Sequence, residues 1–190
     1  MEICGTVEGG IEEETLQSLK DESIYVVGLV GCGRTSKAYS VVTKYGYEGM
    51  LKMYVKKTDG SKKAMKRKKF MKIAKESVKK ELEIFKKTYP TMPVSQVKIA
   101  GHHCHFMPFF SPPKHPTKEV IREVLKKIKG AGLESLYYKD DDVHWRHFGM
   151  YSSILVVAFD FNNMEMIAND DNPGTKIESQ VDKLFKRIRT

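Results

Sequence analysis

Asp142 and Asp160 stand 18 residues apart in the stretch KDDDVHWRHFGMYSSILVVAFDF, residues 139–161. Two carboxylates converging on one cleft suit a proton acceptor and a metal ligand, and a loop, a turn and a strand would return the second beside the first. Aspartates at such places also cap helices or start turns. Between them lie Trp145, Arg146 and His147. A surface loop does not need the tryptophan, and a core does not accept so much unpaired charge. Lys52 is the next chemical residue. It sits in the apolar run MLKMYV, so it either faces water from an edge strand or has a buried partner. Glu81 in KELEIF is the expected partner, on the flank of a helical stripe and one position before Leu82, with Glu76 and Glu83 as competitors. Third comes Gly31-Cys32-Gly33-Arg34-Thr35-Ser36, directly after an apolar strand. Glycines there let backbone N–H groups approach a phosphate, and the same spacing also makes a plain hairpin turn. A strand after the loop, instead of a helix, counts against a dinucleotide or Walker-type loop.

The elements that would position these residues follow from periodicity. IYVVGLV, AYSVV and GMLKMYV read as a three-strand meander, with Gly46 and Gly49 in its second turn. KKTDGSKK is a loop. A helix then runs from near Ala64 toward Thr88, with Phe70, Ile73, Ala74, Val78, Leu82 and Phe85 as its apolar stripe. Pro90 and Pro93 end it. QVKIAG and CHFMPFF are two more strands, the second broken at Pro108. Thr117 caps a helix that stops at Gly130. ILVVAF is a strand, NNMEMIANDDNPG a polar segment, and KIESQVDKLFKRI a last helix. Residues 1–20 read as a tail or short helix outside the core. Without regular βαβ alternation, the fold class is α+β.

Thirteen lysines and one arginine against four acids fill residues 56–87, so this segment alone carries +10 of a net charge of +9. Such a run suits nucleic acid, another polyanion or nuclear import, and equally a solvated helix face. His102-His103-Cys104-His105 is a poor zinc site, because strand alternation sends neighbours to opposite faces. Cys4, Cys32 and Cys104 form no disulfide pattern, which fits a reducing compartment. No apolar run approaches the about 20 residues of a membrane span. With an acidic N-terminus lacking an apolar signal region, the expectation is cytoplasm or nucleus and no membrane partner. A leader removed from a longer parent chain is also compatible.

In this order, the residues resemble the signature of the protein kinase fold: a Gly-rich loop, a strand lysine, a helix glutamate, a catalytic-loop aspartate and a metal-binding aspartate. Gly31 and Gly33, with Ser36 where a third glycine would stand, then Lys52, Glu81, Asp142 and Asp160 match it. The resemblance implies a two-lobed domain: an N-terminal extension at 1–23, a small lobe at 24–110 and a reduced helical lobe at 111–190. It implies ATP with Mg²⁺ or Mn²⁺ as cofactors and a protein hydroxyl as acceptor. Lys52, paired with Glu81, would hold the α/β-phosphates. Asp142 would accept the proton and Asp160 would bind metal. Met107 and Phe109, in HFMPFF, would belong to the last small-lobe strand and the hinge meeting adenine. More narrowly, GCGRTSKAYS, LKMYV and DVHWRHFG resemble the kinase-like domains of the Crinkler effectors of oomycetes and fungi, which implies a domain working inside a nucleus, that of a host cell included.

The departures from the kinase pattern are specific. His147 stands five after Asp142, where kinases place a metal-binding Asn, and a histidine favours Mn²⁺ over Mg²⁺ or leaves a metal site empty. Asp140-Asp141 replaces His-Arg, and Asp160-Phe161-Asn162 replaces D-F-G. Met50 replaces a small residue two before Lys52, and no A-P-E follows. Only 29 residues remain after Phe161, so the expectation is a minimal kinase. The alternatives are a pseudokinase or scaffold, and a polyanion-binding nuclear protein.

Overall fold

The computed structural model describes residues 11, 13–32, 36–54, 67–112, 116–133, 136–138, 143–152, 155–161, 164–166 and 173–186. Gly33, Asp142, residues 55–66 of the basic run and Asn162 lie outside them, as does the side chain of Arg146. The chain divides into two compact units, Met1–Leu82 with Pro93–Phe109, and Glu83–Met92 with Phe110–Thr190.

The first unit is built on a five-stranded antiparallel sheet. Its strands are β1 (Ile24–Cys32), β2 (Ser36–Thr43), β3 (Glu48–Tyr54), β4 (Ser95–Ile99) and β5 (His102–Pro108), in the order β1-β2-β3-β5-β4. Alternation sorts the side chains. Tyr39, Val41, Leu51, Met53, Ile99 and Cys104 form one core cluster with Leu19 of helix α1 (Glu13–Asp21). Tyr54 joins Phe70, Ala74 and Val78 of helix α2 (Arg67–Thr88) in another. Helix α1 is therefore part of the core, where an outlying helix was expected. Thr15 and Leu19, four apart, are both buried, too few apolar positions to show as a stripe.

Gly46 has φ 79° and makes the β2–β3 turn. Gly49, expected in that turn, lies in β3 opposite Pro108. A Cβ there would stand 2.8 Å from the Phe106 ring, so the glycine is a packing requirement. In α2 the buried positions among the described side chains are 70, 74, 78, 81, 84, 85 and 88, at spacings of three and four along one face. Ile73, assigned to the stripe by sequence, is exposed, and Glu81 instead of Leu82 takes the buried position. The carboxylate can take it because it is paired there.

The second unit holds helices α3 (Lys118–Gly130) and α4 (Pro173–Lys186) and two small antiparallel pairs. Thr117 caps α3, its side chain accepting from the Val120 N–H at 3.4 Å. Ile121, Val124, Leu125 and Ile128 form the buried face. Strands β7 (Phe148–Tyr151) and β8 (Leu155–Ala158) pair across a turn in which Ser152 has φ 54°. Strand β6 (Leu136–Tyr138) pairs with β9 (Met164–Met166). The polar reading of NNMEMI missed β9, and β6 and β7 were missed as well, since three- and four-residue strands are too short to show a period. Helix α4 begins three residues earlier than expected, at Pro173, whose fixed φ suits a first turn.

Candidate active site

In the first unit, Lys52 lies on β3, the central strand, so the edge-strand alternative does not apply. Its side chain points toward the α2 face and is 10% exposed. Nζ donates to Glu81 Oε1 at 2.6 Å. Glu81 is 2% exposed and also accepts from the Tyr54 hydroxyl, through Oε2 at 3.2 Å. The competing glutamates stay at the surface: Glu76 lies 4.0 Å from Lys72, and Glu83 lies 3.1 Å from Lys87. A third neighbour was not foreseen. His105, opposite Lys52 in the β3–β5 register, has Nδ1 3.0 Å from Glu81 Oε2 and Nε2 2.5 Å from the Val78 carbonyl oxygen. The signal was present in the alternation of HHCH. Cys104 turns into the cluster with Leu19, and His105 turns to α2. Burial pushes the Cys104 thiol up to about 12, which makes it an inert core thiol. His103 is held below its ordinary value by burial and by the charges of Lys98 and Lys75.

The other positions expected in this unit are spread over the sheet. Gly31 is exposed at the end of β1, opposite Ala38, with room for a side chain. Ser36 opens β2 and is half-buried. Met107 is buried on β5, and Phe109, just after it, is exposed. Met50 is buried two residues before Lys52.

In the second unit, Asp160 follows β8, and its side chain is 24% exposed. Phe161 beside it is fully buried, its ring 5.8 Å from that of Phe85, which fixes the end of the strand. His147 closes a 3₁₀ turn, Trp145–His147, and its ring stacks on Tyr138 at 5.1 Å. The Phe159 N–H donates to the His147 carbonyl at 3.0 Å, which brings the turn and the strand end together. His147 Nε2 then lies 3.9 Å from Asp160 Oδ2. A carboxylate oxygen and an imidazole nitrogen at this spacing fit Mn²⁺ better than Mg²⁺, which takes oxygen ligands. Among the described residues no group of three or more His, Cys, Asp or Glu gathers as a metal site. Trp145 packs edge-on against Phe185 of α4 at 5.2 Å, which accounts for a tryptophan on this loop.

The antiparallel five-stranded sheet, its central lysine held by a helix glutamate, and the small β-hairpin unit with its helices make a kinase-like α+β fold. The solved Rio2 kinase–ADP/Mg²⁺–phosphoaspartate complex from Chaetomium thermophilum is similar, with TM-score 0.59 and 17% identity over 97% of this chain. The chain spans 62% of that kinase's length. No protein-family model matches the sequence, and a search of curated proteins finds no match. No helix among the described residues is long and apolar enough to cross a membrane.

Proposed function

We propose that this chain is an ATP-dependent phosphotransferase of the protein-kinase-like class. The observation that carries the reading is the buried Lys52–Glu81 pair at 2.6 Å on a kinase-like fold. A buried lysine needs a partner, and a carboxylate held by Tyr54 on one oxygen and by Lys52 on the other keeps the ammonium in one place. Lys52 would then meet the α/β-phosphates, Asp142 would orient the acceptor hydroxyl and take its proton, and Asp160 with His147 would hold the cation. The cation, Mn²⁺ or Mg²⁺, would neutralise charge on the phosphates. Such chemistry needs positioning and electrostatic stabilisation above all. The ADP and Mg²⁺ of the Rio2 kinase complex support nucleotide and divalent metal as the cofactors. The Crinkler resemblance, with action in a nucleus, is the narrower form of this proposal.

The test is a thermal shift with ATP, with and without Mg²⁺ or Mn²⁺, on wild type, Lys52→Met and Asp160→Ala. Ligand at about 100 times its dissociation constant adds about 2.7 kcal/mol, roughly 5–10 °C for this size. A metal-dependent shift lost in both variants supports the reading. No shift with either metal sinks it and leaves a pseudokinase, which the buried Met50 and the His147 position favour. Phosphate transfer by Asp142→Asn at the wild-type rate would remove Asp142 from its role. A polyanion-binding role has its own support in the exposed Lys72, Lys75, Lys79, Lys80 and Lys86 of α2. It predicts binding to nucleic acid that weakens steeply with salt and survives Asp160→Ala.

A further inference from the structure

We propose that His105 is a positioning residue which carries both ring protons and uses them to aim Glu81 at Lys52. The consequence for nucleotide rests on the phosphotransferase reading; the protonation rests on the cluster alone. His105 is 2% exposed. Its Nε2 lies 2.5 Å from the Val78 carbonyl oxygen, and a carbonyl only accepts, so Nε2 carries a hydrogen. Its Nδ1 lies 3.0 Å from Glu81 Oε2, a carboxylate oxygen. A neutral imidazole has one N–H. With that N–H on Val78, the Nδ1 lone pair would face the lone pairs of Oε2 in a site closed to water. The imidazolium satisfies both contacts.

The groups around the ring agree with this assignment. From α2 come Val78 and Glu81, one helical turn apart, so the ring reads the position of that turn. From β3 comes Lys52, opposite His105 and bonded to the other Glu81 oxygen. Tyr54, also on β3, donates to the same Oε2 as His105 faces. From β4 the opposite residue is Gln96, which is uncharged. Glu81 thus stands between two cations, one on each oxygen. Removing the Nδ1 proton, as pH rises, places a lone pair 3.0 Å from Oε2 and pushes the carboxylate off the line that holds Lys52.

Two measurements test this. The first is the ring-nitrogen NMR spectrum of histidine-labelled wild-type protein near neutral pH, with His105 assigned through its own side-chain carbons. Both nitrogens protonated is the expected result, and a single neutral tautomer would overturn the assignment. The second is affinity for ATP with Mn²⁺ from about pH 6 to about pH 9, for wild type and His105→Gln. Glutamine offers a non-titrating donor, and comparing the two cancels the titration of ATP itself. Wild type is expected to lose about fivefold or more in affinity relative to the variant toward high pH. Parallel profiles would overturn the positioning role. Where His105→Gln does not fold, His105→Asn serves in the same comparison, and the wild-type spectrum decides the protonation without either. A doubly protonated ring in a protein that binds no ATP at any pH would uphold the protonation and refute the phosphotransferase reading on which the nucleotide effect depends.

Discussion

Stripping Glu81 from its cluster is the sharpest perturbation the fold offers. Glu81→Leu leaves Lys52, 10% exposed, without the carboxylate 2.6 Å from its Nζ. Removing one partner from a buried pair costs about 3–5 kcal/mol, because the remaining charge is desolvated and has lost its nearest counter-charge. At about 2–4 °C per kcal/mol for a chain of this size, Tm should fall by roughly 6–20 °C. Lys52→Met is milder. It leaves Glu81 with Tyr54 on Oε2 and His105 beside it, so about 1–3 kcal/mol is expected. The double variant Lys52→Met/Glu81→Leu removes both charges and leaves His105 its Nε2 contact with the Val78 carbonyl. It should be more stable than Glu81→Leu alone, with a coupling of about 1–3 kcal/mol. Urea denaturation followed by circular dichroism measures all four proteins, with unchanged m-values as the check that only stability moved. If the two single effects add to within about 0.5 kcal/mol, the pair is not coupled and the account of Lys52 given above is wrong.

Four further variants test packing, hydrogen bonding and charge. A Cβ at Gly149 would stand 2.6 Å from Phe110 Cβ and 3.1 Å from the Phe159 ring, so Gly149→Ala should cost about 1–3 kcal/mol in denaturant. Gly28→Ala, with nothing within 4 Å, should stay within about 0.5 kcal/mol. The Tyr89 hydroxyl accepts from the Ala158 N–H at 2.9 Å, and Tyr89→Phe should cost about 1–3 kcal/mol by orphaning that donor. Burial pushes the Tyr89 phenol from 10.0 up to about 12. In that window the unfolded chain releases the proton and the folded chain keeps it, so stability falls as pH rises, and Tyr89→Phe should flatten this part of the curve. Arg122 donates to both Glu178 oxygens, at 2.5 and 2.9 Å, and this hydrogen bonding holds the Glu178 carboxyl below its ordinary 4.5. The contribution of this contact is full above 4.5 and is lost as pH falls through the depressed value. The Tm difference between wild type and Glu178→Gln should accordingly vanish in acid.

The β1–β3 meander, helix α2 and helix α3 were legible in the residues because each repeats its apolar positions often enough to declare a period. Lys52 stood out for the same reason, as a charge that breaks the pattern of an apolar strand. Periodicity says which face is buried but not what meets it. Glu81 was expected as the partner of Lys52 but from the flank of the helix, one position before Leu82 in the stripe. The tertiary pairing with Lys52, 29 positions away, reversed that order. His105 lay in a string of histidines that alternation split between two faces, and only the β3–β5 register put it beside Glu81. The spacing of Asp160 and His147 was likewise set by one backbone hydrogen bond from Phe159, invisible in one dimension. The short strands β6 and β9 escaped because three residues cannot show alternation, and their pairing comes from the fold around them. By itself the sequence determined the α+β class, the longer elements and the residue types available for chemistry. The tertiary structure decided which of those residues are partners, because burial lets a charge persist only where another chain segment brings its counter-charge.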